Sequence, residues 1–403
     1  MPQYLSPGVY VEDVPPVARP IAGVGTSTAG FIGVVPNNIT MPNQPGQFEK
    51  DNDGNLVRDE KGNPKPIPYK VAEAGIPQLI TGWEQFKNHF GDIQTGNSVL
   101  AHAVYGFFNN GGTRCWVNRV AAAAGLTTGL ADALKAFAPI DEIAMVVVPG
   151  ATSDAQHTEI LTHCFNMKDR VAILDGNKGP ASLTPADIAP VGRSQAGSYG
   201  SVYFPWIKVF DPVTADKLAV PPSGHIAGIY ARSDSTRGIH KAPANEVVIG
   251  ALDVDLPLSK ADQDGLNPEG INVIRSFNGA IKIWGARTRA DEANSEFRYI
   301  STRRFLNFAR ESIEEGTQWV VFEPNSPALW QRITRNVGDF LLGQWQAGAL
   351  FGNSPKEAFF VKCDADTNPP NVRELGQVVT EIGVAIVKPA EFVIFRIQQM
   401  TGG

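Results

Sequence analysis

The sequence predicts a mixed α/β fold in more than one domain, and three observations carry that expectation. The chain has 403 residues, too many for one ordinary core, so two or three domains are expected. Between about residues 76 and 210, short apolar runs alternate with helix-length segments, the spacing of an α/β unit on a largely parallel sheet. Both ends carry strand-like runs for which the chain supplies no evident partner.

Composition narrows the function classes. Apolar residues make up 43% and charged residues 19%, which fits a sparsely charged globular protein that covers much of its surface with partners. The formal net charge of −6 argues against general nucleic-acid binding. Cys115, Cys164 and Cys363 are odd in number and far apart, so no disulfide framework is implied. No basic segment followed by an apolar run opens the chain, and no apolar stretch reaches the roughly 18 residues that span a bilayer. Synthesis in a cytoplasm, with no direct membrane insertion, is the expectation.

The elements follow in order. Ser6-Pro7-Gly8 is a turn, and Val9-Tyr10-Val11-Glu12-Asp13-Val14 is a strand stopped by Pro15-Pro16. Residues 17–30 form an extended linker in which Pro15, Pro16, Gly23 and Gly25 are the hinge candidates. Residues 31–35 are a buried strand. Residues 37–70 are a polar surface loop or small β ribbon, with hairpin turns at Asp51-Asn52-Asp53-Gly54-Asn55 and Lys61-Gly62-Asn63-Pro64. Trp83, Phe86 and Phe90 share one face of a short helix. A helix over 98–109 takes Ser98 as its N-cap and ends at Asn-Asn-Gly-Gly. Strand 115–120, helix 126–137, strand 143–148, helix 154–168, strand 171–175 and strand 203–209 complete the alternation.

Beyond that, 226–232 reads as a short helix and 245–270 as a mixed linker. Strands are expected at 271–274, 281–285, 319–322, 358–363 and 381–387, with helices over 297–315 and 328–349. Leu329, Ile333, Val337, Phe340 and Leu341 are the apolar stripe of the last helix. The terminal run 391–397 is apolar on both faces, with Phe392 and Ile394 on one and Val393, Phe395 and Ile397 on the other, Arg396 between. Two unpaired strand edges are a hazard in a lone protein and connectors in a polymer.

Motifs for catalysis are weak. The glycines of 23–30 lack the G-x-G-x-x-G spacing, and no G-x-x-x-x-G-K-[ST] occurs. His157 and His163 are six apart and fall on different helix faces with Glu159 and Cys164, a poor metal set. Asp51, Asp53 and Asn55 begin like a calcium loop, but Leu56 stands where glycine is needed. Asp364 and Asp366 suit a turn, and Ser194 lacks the nucleophile-elbow spacing. Asn38-Ile39-Thr40 is a glycosylation triplet without a secretory context.

An ordered set of segments resembles the contractile tail sheath family of phage tails, R-type bacteriocins and phage-tail-like injection systems. They are Ser6 to Asp13, Phe107-Phe108-Asn109-Asn110-Gly111-Gly112 leading to Val117-Asn118-Arg119-Val120, and Ile283-Trp284-Gly285-Ala286-Arg287-Thr288. Tyr299-Ile300-Ser301-Thr302-Arg303-Arg304, Phe322-Glu323-Pro324-Asn325, Gly348-Ala349-Leu350-Phe351-Gly352, the run 357–364, Thr367-Asn368 and Val387-Lys388-Pro389-Ala390-Glu391-Phe392-Val393-Ile394 follow. Residues 37–75 and 180–265 carry little of the likeness.

The resemblance implies an inner domain built from both termini with a shared inter-subunit β-sheet, plus an inserted outer α/β domain. On this chain that gives an arm over 1–30, an outer domain over 31–265 and an inner domain over 266–403. It implies strand exchange between copies through Val9, Tyr10, Val11 and Glu12, and through Phe392, Val393, Ile394, Phe395, Arg396 and Ile397. It further implies a homo-oligomeric helical sheath of hexameric rings around an inner tube, with baseplate and terminator or cap proteins as partners, in a phage tail or phage-tail-like particle. The sheath would be metastable when extended and contract to drive the tube through an envelope. No cofactor, metal or catalytic residue is implied. Arg332 and Arg335 are the candidates to face an acidic tube, with Arg303, Arg304 and Arg310 next. The other reading of these arginines is a solvated face or pairing with Glu311, Glu314 and Glu315. The competing function is an α/β enzyme of unknown substrate, supported by the alternation in 76–210 alone.

Overall fold

The computed structural model describes residues 20–121 and 125–394. Val9, Tyr10, Val11, Glu12, Pro15 and Pro16 lie outside the described residues, as do Phe395, Arg396 and Ile397. The chain forms two compact units. The larger takes Val24–Glu311 and Ile386–Gly403, the smaller Met1–Gly23 and Ser312–Ala385.

The larger unit opens with β1 (Ala29–Val34), the ribbon strands β2 (Asn43–Phe48) and β3 (Pro66–Pro68), then β4 (Gln78–Ile80), α1 (Trp83–Phe90) and α2 (Ser98–Asn109). It continues through β5 (Cys115–Val120), α3 (Gly125–Phe137), β6 (Met145–Val147), α4 (Asp154–Met167), β7 (Val171–Asp175) and the short α5 (Pro185–Ile188). Next come β8 (Gly200–Phe204), β9 (Ile207–Asp211), β10 (Asp216–Val220), α6 (Ser223–Arg237), β11 (Ala251–Val254) and α7 (Lys260–Leu266). The hairpin β12 (Ile271–Phe277) and β13 (Ala280–Trp284) leads to α8 (Ile300–Gly316), within which the division between units falls.

Eight strands form one sheet in the order β13-β12-β8-β7-β6-β1-β5-β4. Every pair from β12 to β5 is parallel, and the edge strands β13 and β4 are antiparallel. Helices cover both faces, which is why the inner strands are apolar throughout rather than alternating. On β1, Ala29 and Phe31 enter the core shared with α1, α2 and α6, and Ile32 enters the core shared with α3 and α4. Two glycines of α6 set how closely it lies on α2. A Cβ added at Gly224 would meet the Ala103 carbonyl oxygen at 2.4 Å, and one at Gly228 the Phe107 oxygen at the same distance. Backbone cannot yield to a methyl group there.

The smaller unit holds the end of α8, then α9 (Pro327–Gln346), α10 (Pro355–Ala358), β14 (Phe359–Lys362), α11 (Pro370–Glu374) and β15 (Glu381–Val384). Ser326 caps α9 by accepting from Leu329 N, with Pro327 in the first turn. Leu329, Ile333, Val337, Phe340 and Leu341 are all buried, as the periodicity predicts. β14 and β15 pair antiparallel and form a sheet of their own.

Several expectations need correction. The strand expected over 203–209 is two strands. Pro205 has no N–H to continue the ladder, so β8 stays in the large sheet and β9 starts an antiparallel sheet with β10 and β11. The expected strand at 319–322 is a 3₁₀ turn, Gln318–Val320, followed by Phe322 at φ 68°. Its four apolar residues find no ladder partner among the described residues. The 245–270 linker contains β11 and α7, the latter started by a reciprocal Ser259–Asp262 capping box. α6 extends beyond the expected 226–232 at both ends, and the cap position of α2 is Asn97 rather than Ser98. β12 and β13 pair into the large sheet, so residues 266–311 pack with the residues before them. Among the described residues no helix is long and apolar enough to cross a membrane.

Candidate functional site

In the C-terminal segment of the larger unit, Glu391 is held by side chains from elsewhere in that unit. Glu391 accepts from Arg287 through Nε to Oε1 at 2.9 Å and Nη2 to Oε2 at 2.7 Å, a two-pronged pair. Tyr299 Oη donates to Oε2 at 2.7 Å and Asn267 Nδ2 to Oε1 at 2.7 Å. Burial alone would raise this carboxyl; the hydrogen bonds from Arg287, Asn267 and Tyr299, with the Arg287 charge, bring it below its usual value. The next three residues are the opposite case. Phe392, Val393 and Ile394 are 71%, 68% and 79% exposed and form no strand.

The smaller unit carries the complementary feature. Its β14–β15 sheet has only two strands, and Phe360 and Ile382 stand exposed on it. The register sets Phe360 opposite Gly383, where the ring lies so close that a Cβ would have no room. Asn368 fixes the approach to β15 by accepting from Val379 N at 2.7 Å and donating to Val379 O at 2.9 Å. Among the described residues this sheet has no third strand, and an isolated two-stranded sheet is marginal on its own.

Of the hinge candidates, Gly23 ends the first segment of the smaller unit, and Gly25 lies just inside the larger one. Both are exposed, outside regular structure, and a Cβ at Gly25 would touch nothing within 4 Å. The freedom ends one residue later. Thr26 Oγ1 donates to Asp234 Oδ2 at 2.6 Å, and Arg304 Nη2 donates to Thr26 O at 3.1 Å.

The arginine candidates separate. Arg303 and Arg304 are buried, contrary to the expectation that they are surface side chains. Arg304 pairs with Asp234, Nη1 to Oδ1 at 2.8 Å, and its guanidinium lies 4.7 Å from the Tyr230 ring centre. Arg303 is stacked between Phe297 and Tyr199, 3.5 and 4.0 Å from their ring centres. The physical reason is that each guanidinium finds partners inside the larger unit, Asp234 for Arg304 and the two rings with Ser198 Oγ for Arg303. Arg310 is exposed on α8. On α9, Arg335 is exposed, while Arg332 pairs with Glu323 at 3.3 Å and lies over the Trp319 ring at 4.4 Å.

The residues weighed for chemistry have structural settings. His157 is buried with Nε2 3.0 Å from the Ala151 carbonyl, and burial pulls its pKa down to about 4. The three cysteines are buried and unbridged. Asp51 and Asp364 each accept two backbone N–H groups of their own turns, and Ser194 accepts from Gly197 N at 3.0 Å. No group of three His, Cys, Asp or Glu side chains able to hold a metal occurs among the described residues. Sequence reasoning missed Asn267, Arg287 and Tyr299 as the holders of Glu391. Two of them, Arg287 and Tyr299, stand in segments that carry the family resemblance, a signal for importance but not for contact.

Residues 108–289 match the phage tail sheath protein central domain, and residues 292–400 match the phage tail sheath C-terminal domain. The tail sheath protein of Burkholderia phage BcepMu is 26% identical over 291 residues, covering 67% of this chain and 58% of that protein. This chain thus spans less than two thirds of that curated relative. The helical sheath of the anti-feeding prophage in its contracted state superposes with TM-score 0.73 at 28% identity, over 98% of this chain and 99% of that one. The PVC sheath of an extracellular contractile injection system, also contracted, gives 0.71 at 26% identity over 99% of each chain.

Proposed function

The chain belongs to the phage tail sheath family, and from that membership we propose that it is the structural subunit of a contractile sheath. Copies polymerise helically, as stacked hexameric rings around an inner tube, in a phage tail or phage-tail-like particle. The observation that carries this reading is an unfinished pairing. Among the described residues, one unit holds a sheet of two strands, and the other holds an exposed apolar run, Phe392-Val393-Ile394, that pairs with no strand. A strand given to the sheet of another copy satisfies both. Such an exchange is heterologous, so it propagates as an open helix rather than closing as a dimer.

On this reading the N-terminal run 9–12 and the C-terminal run 392–397 are the exchanged strands. Gly23 and Gly25 are the hinge that lets a ring turn without releasing its neighbours. The extended polymer persists behind a barrier, and contraction buries more surface between outer parts. At about 25 cal/mol per Å², a few hundred Å² of apolar area per subunit supplies several kcal/mol. Summed along a tube, this needs no nucleotide. A baseplate starts the change and a terminator caps the far end. Synthesis takes place in the cytoplasm, and no step calls for catalysis.

Negative-stain microscopy of the purified chain, alone and with its tube protein, tests the proposal. Striated tubes are the expected result. Discrete globules under both conditions, with a substrate-saturable activity, would replace it with the α/β enzyme reading.

A further inference from the structure

Within the larger unit, Glu391 of the C-terminal segment sits in a built receptor for its carboxylate. All the polar capacity of Glu391 is used: Arg287 engages both oxygens, Tyr299 adds a donor to one and Asn267 to the other. Arg287 is itself held. Asn272 Oδ1 accepts from Arg287 N at 2.7 Å, and Asn272 Nδ2 donates to Arg287 O at 2.8 Å. The same Nδ2 donates to Val202 O at 3.1 Å, and Val202 belongs to β8 inside the large sheet. Beyond Glu391 the apolar side chains are exposed.

We propose that Glu391, Arg287 and Asn272 form a mechanical anchor that fixes the root of the C-terminal arm and delivers tension on the arm to the central sheet. The inference rests on the sheath reading for the source of tension; the anchor itself stands on the contacts above. An exchanged strand keeps its register only if its root is fixed. With the anchor closed, the free arm starts at Phe392. With it open, the arm starts no earlier than Val387, just after the bridged Ile386. The five residues 387–391 at about 3.3 Å each add roughly 16 Å of slack. Slack of that size exceeds several ladder positions, so a pull on the arm would be spent on straightening it. Glu391, Arg287 and Asn272 are positioning residues. The charged and titratable groups that act on the carboxylate are Arg287 and the Tyr299 phenol.

The test places spin labels on the larger unit through Asp264→Cys and Ile394→Cys. Both positions are exposed and all three native cysteines are buried. A narrow distance distribution is expected for the otherwise unchanged chain. It should broaden and lengthen with Glu391→Ala and with Arg287→Ala, and broaden partly with Glu391→Gln, which keeps size and loses charge. Circular dichroism melting checks that each variant folds, and the glutamine variant serves if the alanine variants do not. An unchanged narrow distribution in Glu391→Gln and in every folded alanine variant overturns the anchor. A second readout is assembly on the tube protein, where a folded Glu391→Ala chain should give at least tenfold fewer striated tubes. Wild-type tube yield from that variant, with a broadened distribution, overturns the anchor's part in transmission while leaving the sheath reading intact. Failure of the unchanged chain to form tubes, with the label distances as expected, overturns the sheath reading and upholds the anchor.

Discussion

The side chain of Asn272 holds both polar atoms of the Arg287 backbone, accepting from its N–H at 2.7 Å and donating to its carbonyl at 2.8 Å. Asn272 is wholly buried on β12, and the neighbouring Gly285 is forced by it, since a Cβ there would meet Asn272 Oδ1 at 2.7 Å. Truncation to alanine leaves the Arg287 N–H and two carbonyls without partners. Each unsatisfied buried group costs about 1–3 kcal/mol, so Asn272→Ala should destabilise by about 3–5 kcal/mol. Urea denaturation measures it, and a loss under about 1 kcal/mol would mean that backbone or water replaces the amide.

The Arg304–Asp234 pair gives a different kind of prediction. Both side chains are almost wholly buried, and the pair also engages Thr26 on the approach to β1. Removing one charge strands the other, which costs about 3–5 kcal/mol, whereas removing both need not. Arg304→Met should therefore destabilise more than the double variant Arg304→Met/Asp234→Leu. A denaturant series on the two variants decides it, and additive losses would show that the charges act separately.

Local pattern made most of the elements legible. β7 falls on the expected 171–175, and the apolar stripe of α9 is buried residue for residue. What local pattern missed depends on distant partners. The apolar run at 319–322 looks like a strand, yet among the described residues it pairs with none, and Val321 and Phe322 stay exposed. Arg303 and Arg304 look like surface charges until Asp234, Tyr199 and Phe297 arrive from elsewhere in the chain. The segments quoted for the family resemblance turn out to hold buried polar staples. Asn110 bonds to both polar atoms of the Ile249 backbone, Arg119 reaches Val35 O, and Asn368 holds Val379. Spacing alone does not reveal such staples, because each side chain serves backbone far away in sequence.

Two carboxyl groups, the buried Asp175 and the half-buried Glu391, should respond to acid in opposite directions. Asp175 accepts from Gly150 N, Ser223 N and Ser223 Oγ, yet burial outweighs those bonds and pushes its pKa from 3.8 up to about 6. With the folded value above the unfolded one, ionisation opposes folding, so this group adds stability as pH falls from 7 through 6 toward 4. Glu391 has its folded value below the unfolded one. Its contribution is complete above the ordinary carboxylate range and is lost as pH falls through the lowered value. Denaturation at about pH 4, 5, 6 and 7 should show wild type gaining up to ~3 kcal/mol on Asp175→Asn between the two ends. A pH-independent difference between them would refute the assignment.

Of the proposed tube-facing arginines, Arg310 on α8 and Arg335 on α9 are the exposed ones, and the test starts with α9. Arg332 is already occupied, paired with Glu323 and stacked on Trp319, whereas Arg335 is exposed one turn further on. If the tube presents acidic groups, Arg335→Glu should weaken co-assembly without lowering the stability of the chain. Arg332→Glu should do both, since it also turns an existing attraction into a repulsion with Glu323; the lost pair itself is worth up to about 1 kcal/mol. The attraction is between exposed charges, so it must fade as salt shortens the screening length from about 10 Å at 0.1 M to about 3 Å at 1 M. Co-sedimentation of sheath with tube at those two salt concentrations measures this. Arg335→Glu chains that pellet with the tube as wild type does at low salt would remove α9 from the tube contact.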